Sequence, residues 1–134
     1  MPKTITVLGE DRRQFWVAKY LSAAGHNVST FGVPGLEDTR LTLAWTAAEA
    51  EAVVLPMPAA DSSGNIHLST GRILDSRLLP VLLPQNALLF GGLLPPYLHG
   101  NDYARSDAVT TANAIPTAEG AIQRAMELLE IVEK

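Results

Sequence analysis

The sequence contains no cysteine, so neither disulfide bonds nor thiolate chemistry can contribute to its fold or function. It also lacks a basic stripe, since 10 Lys and Arg stand against 14 Asp and Glu and the formal net charge is -4. A mildly acidic chain of this kind is not expected to bind nucleic acid. The longest apolar stretch, residues 73–98, is interrupted by four prolines and two charges. That interruption excludes a membrane-spanning helix there.

A signal-peptide layout is missing as well, and we expect a soluble, cytoplasmic protein that does not associate with a membrane. Apolar residues make up 47% of the 134 residues and charged residues 18%, which is typical of a folded domain rather than a disordered one. We therefore expect a single domain, residues 1–134, with a core of its own. Internal repeats and low-complexity segments are not found.

Alternating apolar runs and helical patterns predict a parallel α/β domain. Strands are predicted at Ile5–Leu8, Val28–Val33, Ala52–Leu55, Ala87–Phe90 and Ala108–Val109. A first helix is predicted after Gly9, with an apolar face of Val17, Leu21 and Ala24 and with Gly25 as its C-cap. The segment Leu36–Ala50 is predicted to be partly helical, with Trp45, Ala47 and Ala48 buried. Further helices are predicted in Leu74–Leu83, ending or kinking at Pro80, and over Thr117–Val132. Asp61–Asn65 is predicted as a turn that opens a hairpin with Ile66–Ser69, and Pro95–Ser106 as a loop. The fold class is α/β, a flavodoxin-like three-layer α/β/α domain with a mostly parallel sheet of about five strands.

In such a sheet, ligands bind at the carboxyl ends of the strands. The segments there are Gly9–Gln14, Val33–Gly35, Pro56–Ala59, Gly91–Gly92 and Asn113–Gly120. The turn after Gly9 fails the G-x-G-x-x-G pattern, and its two carboxylates, Glu10 and Asp11, would repel a pyrophosphate. A phosphoacceptor receiver domain is rejected, because Pro56-Met57 stands where it needs an aspartate.

Two kinds of candidate remain for chemistry in this crevice. Arg12 and Arg13 either clamp an anion or pair with the neighbouring carboxylates, and Arg72 has the same two interpretations. The three histidines show no metal-ligand spacing; of these, His67 and His99 are loop candidates for acid–base chemistry.

Four short motifs carry a resemblance to a known family. They are the turn Gly9-x-Asp11-x-Arg13-Gln14, the strand end Leu55-Pro56-Met57-Pro58, the Ser/Thr/Gly-rich loop Asp61–Thr70, and Ile115-Pro116-Thr117-Ala118-Glu119-Gly120. Together they resemble the N-terminal domain of the dipicolinate synthase A subunit.

The resemblance implies a role in oxidising a dihydrodipicolinate-type precursor to dipicolinate, a dicarboxylate, in the mother cell of a sporulating bacterium. It implies NAD(P), bound by a Rossmann domain that is expected after Lys134, and no cofactor bound by this domain, which alone would be inactive. It also implies a flavoprotein-like partner, the dipicolinate synthase B subunit. The implied substrate-binding residues are Asp11, Arg13, Gln14, Pro56, Asn113, Pro116, Thr117 and Glu119.

Two alternatives stay open. In the first alternative, the domain is an assembly module that recruits the partner subunit or forms a homodimer through the apolar segment Leu88–Leu98. In the second, it is a sugar- or nucleotide-binding flavodoxin-like protein, although the sequence shows no phosphate cradle.

Overall fold

The computed structural model describes residues 2–102, and the structural statements below concern that part of the chain. Its strands are β1 (Thr4–Leu8), β2 (Asn27–Phe31), β3 (Ala52–Val54), β4 (Asn65–His67), β5 (Ile73–Asp75), β6 (Leu88–Gly91) and β7 (Asn101–Asp102). Its α-helices are α1 (Arg12–Ala23), α2 (Leu43–Thr46) and α3 (Leu79–Leu82). Five strands form one sheet in the order β2-β1-β3-β6-β7, with every neighbouring pair parallel. The remaining two, β4 and β5, form an antiparallel hairpin.

The central strands are buried on both faces, which explains why β3 is wholly apolar and why the polar Thr6 of β1 is buried with its hydroxyl bonded to Ser29. On one face, Ile5 and Val7 of β1 pack with Val17, Ala18 and Leu21 of α1. On the other, a second cluster joins Leu8 and Val53 to α2, the hairpin and α3. Each fully buried Val or Leu contributes roughly 1.5–3 kcal/mol of transfer free energy. The predicted α/β, flavodoxin-like architecture is confirmed.

Helix α1 begins and ends where the sequence predicts. Asp11 is its N-cap, since the carboxylate accepts a hydrogen bond from the Arg13 backbone N–H at 2.9 Å. Gly25, just beyond the C-cap, has a φ of +95°, a conformation that favours glycine. The predicted buried face needs one correction, because Ala24 sits at the C-cap and is exposed, while Ala18 is buried.

The segment Leu36–Ala50 is less helical than predicted, and its buried face is different. Only the single turn of α2 is helical, and its phase is set by Thr42, whose hydroxyl caps the Trp45 N–H at 3.1 Å. Leu43, Ala47 and Ala50 are buried, whereas Trp45 is 59% exposed and Ala48 is exposed too. The predicted burial of Trp45 is wrong because its indole lies on the surface, where the Arg40 guanidinium covers it.

The predicted helix Leu74–Leu83 is wrong at its start. The residues of β5 pair with β4, with Leu74 opposite Ile66, so Ile66 does belong to a hairpin. Its connection is residues 68–72, however, and the predicted turn Asp61–Asn65 precedes it. The helix is restricted to α3, where Pro80 lies in the first turn and needs no N–H partner. The fifth sheet strand, β7, lies inside the predicted loop Pro95–Ser106, while Ala108–Val109 and the predicted final helix lie outside the described residues.

The apolar segment Leu88–Leu98, a predicted interface, contributes mostly to the core. Four of its side chains are buried there: Leu89, Phe90, Leu94 and Leu98. Leu93 and Tyr97 are its exposed large apolar residues, and the Tyr97 hydroxyl lies 2.6 Å from that of buried Ser76. Within residues 2–102, no helix is long and apolar enough to cross a bilayer.

Candidate functional site

The strand order places a topological switch point between β1 and β3. From β1 the chain passes through α1 to β2 on one side, and it then returns to β3 on the other side of β1. A crevice opens outside the carboxyl ends of two strands where such a reversal occurs, and α/β proteins bind ligands there. A cavity of about 240 Å³ lies at this place. Its lining is Glu10, Asp11, Pro56, Met57, Pro58, Ala59, Ala60, Asp61, Asn65 and His67. We call it the switch-point cavity.

The floor of this cavity depends on close packing between Gly9 and Pro56. Gly9 has a φ of +114°, and a Cβ added there would lie 2.7 Å from Pro56 Cγ. Only glycine fits both the conformation and the contact. The next residue fixes a third segment, because the Glu10 N–H donates to the His67 carbonyl at 2.9 Å. The turn after β1 therefore contacts both the segment that follows β3, through Pro56, and the hairpin, through His67.

Gln14 holds β1 and β3 together beneath the cavity. Its side chain is buried, and its Nε2 donates to the carbonyls of Leu8 at 2.7 Å and Val54 at 3.0 Å. Those carbonyls end the two strands that flank the switch point. Both amide hydrogens of Gln14 are thus used by the backbone, and Gln14 is not among the lining residues.

Asp11 and Arg13 form an ion pair at the cavity rim. The Arg13 guanidinium binds both carboxylate oxygens of Asp11, and its Nη2 also donates to the Met57 carbonyl at 2.7 Å. Burial of the Asp11 carboxyl raises its pKa, but hydrogen bonds from Arg13 outweigh this effect and the net pKa lies below the usual value. The cation that we predicted to hold a substrate carboxylate is thus already bound to a carboxylate of the protein.

His67 and Asp61 form the second polar pair of the cavity. His67 Nε2 lies 2.7 Å from Asp61 Oδ2, while Asp61 Oδ1 accepts the N–H groups of Ser63 at 2.8 Å and Asn65 at 3.0 Å. Hydrogen bonds from the Asn65 N–H and from His67 lower the pKa of the Asp61 carboxyl, so it is ionised at neutral pH. An ionised carboxylate only accepts hydrogen bonds, so Nε2 carries the proton and donates it. Among the described residues, His67 Nδ1 has no partner.

The structure brings together some of the predicted site residues and not others. Asp11 and Pro56 line the cavity, while Arg13 and Gln14 hold its walls from outside. The remaining predicted residues, Asn113, Pro116, Thr117 and Glu119, lie outside the described residues. Sequence reasoning named His67 but missed Asp61 as its partner. The signal lies in the turn-forming run Asp61–Asn65, which folds the chain back just before β4, with the Asp61 N–H bonded to the Asn65 carbonyl at 2.9 Å.

Two other places are less suited to ligand chemistry. A larger, open cavity of about 530 Å³ lies at the amino ends of β1 and β2, and Ser29, Trp45 and Ala48 are among its lining residues. It is remote from the switch point, and we favour the smaller cavity because only there do strand ends and polar pairs converge. Arg72, a predicted anion clamp, is paired with Asp38 at 2.8 Å.

The described residues do not fit a dinucleotide cofactor. The glycine after β1 is needed for contact with Pro56 rather than for the approach of a pyrophosphate. At the start of α1, Asp11 itself accepts the N–H groups of Arg13 and Gln14. A phosphate would meet a carboxylate there instead of open amides. Nor does any group of three or more His, Asp or Glu side chains within residues 2–102 form a metal site.

The fold and cavity define a flavodoxin-like α/β domain whose candidate site lies at the β1/β3 switch point. The chain belongs to the family of N-terminal domains of the dipicolinate synthase A subunit, whose model matches residues 4–111. The crystal structure of the dipicolinate synthase A subunit from Bacillus halodurans is similar to it, with a TM-score of 0.65 and 21% identity over 93% of this chain. The chain spans 48% of that relative, about half its length. No match was found among curated protein sequences.

Proposed function

We propose that this chain forms the substrate side of an NAD(P)-dependent oxidoreductase that converts a dihydrodipicolinate-type precursor to dipicolinate during sporulation. The observation that carries the proposal is the switch-point cavity. Three of the four motifs that resemble the family line it, and the chain belongs to that family. NAD(P) would accept the hydride, and we propose that a domain beyond this chain binds it, since the residues here do not form its cradle.

The size and lining of the cavity support a small, flat substrate. Pockets for drug-sized ligands measure about 300–1,000 Å³, so a cavity of about 240 Å³ suits a single ring. Pro56, Met57 and Ala60 supply an apolar wall for that ring. The carboxylates of Glu10 and Asp61 also line it, so the substrate carboxylates must point away from them.

The proposed roles of the substrate-side residues follow from these contacts. Pro56 contacts the ring, and a substrate carboxylate reaches Arg13 by sharing the guanidinium with Asp11. Gln14 keeps β1 and β3 at the spacing that forms the cavity. We propose that Asn113, Pro116, Thr117 and Glu119 also contact the substrate.

Filling each of the two cavities in turn tests the site. Ala60→Phe places a ring in the switch-point cavity, whereas Ala48→Phe places the same ring in the open cavity at the amino ends. We expect calorimetry to show saturable dipicolinate binding to the wild type and to Ala48→Phe, and at least about tenfold weaker binding to Ala60→Phe, equivalent to about 1.4 kcal/mol. Binding that survives in Ala60→Phe and fails in Ala48→Phe would assign the ligand to the other cavity. Circular dichroism of both variants controls for folding.

A second candidate function, assembly, is favoured by two aromatic residues on α1. Trp16 is 65% exposed and Tyr20 54%, and their spacing puts them on one helical face. We propose this face for contact with the flavoprotein-like B subunit or with a second copy. Light scattering of the wild type, alone and mixed with that flavoprotein-like partner, tests it against Trp16→Ala. An unchanged monomer mass in both samples would remove assembly as the function.

A further inference from the structure

We infer that His67 is the group that accepts the ring proton when the substrate becomes aromatic, and that Asp61 is the residue that positions it. This inference rests on the proposed function and adds to it the acid–base residue of the reaction. Three observations support it: the His67 imidazole lies at the switch point, its Nε2 is hydrogen-bonded to Asp61, and its Nδ1 has no partner among the described residues.

The position of the imidazole is fixed by the backbone on both sides. The His67 carbonyl accepts the Glu10 N–H at 2.9 Å, which ties the residue to the end of β1. His67 is also held in β4 by its antiparallel pairing with Ile73 of β5. The side chain lines the cavity while 56% of it remains exposed, so a ligand can reach it. A proton acceptor must lie within hydrogen-bond reach of the atom that it serves, so it must line the cavity that holds the substrate, as His67 does.

The Asp61 carboxylate determines which nitrogen is basic. Because Oδ2 only accepts, the proton of neutral His67 is on Nε2 and the lone pair is on Nδ1. Asp61 cannot turn away, since its Oδ1 is held by the Ser63 and Asn65 N–H groups. A carboxylate that orients a histidine in this way stabilises the imidazolium formed on proton transfer.

The proposed step balances in atoms and electrons. A dihydropyridine dicarboxylate becomes aromatic by losing one hydride and one proton. NAD(P), which we propose is held by a domain beyond this chain, would supply the two-electron oxidant that takes the hydride. The proton passes to His67 Nδ1, and the electron pair that it leaves behind forms the new double bond of the ring. His67 then returns its proton to water through the exposed side of the ring.

Asp61→Asn tests this assignment with little disturbance of the turn. Asparagine keeps Oδ1 for the two N–H groups but places an NH₂ opposite His67. Neutral His67 must then accept at Nε2 and carry its proton on Nδ1, where it can no longer accept one. We expect the imidazole ¹⁵N chemical shifts to report this exchange of tautomers. Asp75→Asn is the matched control, because Asp75 forms a similar turn with Arg77 on the same hairpin but does not line the cavity.

The kinetic test uses the protein in the length encoded by its gene, with NAD(P)⁺ and the dihydrodipicolinate-type precursor. Loss of a general base slows a reaction by about 10²–10⁴-fold, so we expect kcat to fall by that order in His67→Asn and Asp61→Asn. Dipicolinate affinity should stay within about threefold, since the step rather than binding is lost. Asp75→Asn, on the same hairpin but away from the cavity lining, should match the wild type.

Each outcome bears on one of the two proposals. A wild type that turns over, with kcat preserved in His67→Asn, would refute the base and leave the proposed function standing. A loss of dipicolinate affinity with kcat unchanged would make His67 a binding residue and also refute the base. A wild type that neither binds dipicolinate nor reduces NAD(P)⁺ would refute the proposed function and this inference with it.

Discussion

Replacing Gln14 with methionine is expected to destabilise the protein by about 2–4 kcal/mol. The two residues have similar volumes, so little cavity is created and the change removes mainly the amide. Gln14 is 3% exposed, and the carbonyls of Leu8 and Val54 lose the donor at 2.7 and 3.0 Å. A buried acceptor left without its donor costs roughly 1–3 kcal/mol. We place the total for two adjacent acceptors in the lower part of the summed range, because penalties at neighbouring groups are not additive.

Urea unfolding measures this cost. With a slope of about 2 kcal/mol per molar urea, the midpoint should fall by about 1–2 M. Ser22→Met, on the exposed face of the same helix, should stay within about 0.5 kcal/mol of the wild type. A Gln14→Met midpoint equal to that of Ser22→Met would show that the amide does not hold β1 to β3.

Gln14→Glu gives an independent check on the same bridge. At neutral pH a carboxylate would face two carbonyls and could donate to neither, so we expect a larger destabilisation than for methionine. Burial raises the folded-state pKa of such a carboxyl, and stability should therefore increase as the pH falls through that pKa. A pH-independent stability difference between Gln14→Glu and the wild type would contradict the buried position of this side chain.

Three further predictions concern stability. Gly9→Ala should cost at least about 2 kcal/mol, because its Cβ would lie 2.7 Å from Pro56 Cγ at a φ of +114°, and adding Pro56→Ala should restore part of it in thermal unfolding. Asp11→Asn keeps an oxygen that can cap the helix but loses the partly exposed ion pair with Arg13, so it should cost up to about 1 kcal/mol at pH 7. Since the folded pKa of Asp11 lies below its ordinary 3.8, this contribution is present above pH 3.8 and disappears as the pH falls through the folded value, so acid titrations of wild type and variant should converge there. Arg72→Met should cost less than about 1 kcal/mol, because its pair with Asp38 is partly exposed; a loss of several kcal/mol in urea unfolding would contradict this.

Local signals in the sequence were sufficient for the strands and helix around the switch point. The unbroken apolar runs before Gly9 and Pro56 predict buried parallel strands, and both lie in the sheet centre. The helical pattern after Gly9 predicts α1, and the structure adds that Asp11 is its N-cap. The acidic turn predicts that a pyrophosphate would be repelled, and the contact of Gly9 with Pro56 adds a steric reason that no local pattern contains.

Features that depend on tertiary contacts were not predicted. The leucine spacing around Leu74 fits a helix, but pairing with Ile66 makes it a strand. An indole such as Trp45 is usually an inward-facing residue, yet the Thr42 cap turns it outward.

Titrating ¹⁵N-labelled protein with dipicolinate tests whether the switch-point cavity binds the dicarboxylate. We expect saturable changes in the chemical shifts of the amides of Glu10, Ala60 and His67, which surround that cavity. Saturable shifts centred instead on Ser29 and Ala48 at the opposite edge of the sheet, or no shifts at any dipicolinate concentration, would contradict it.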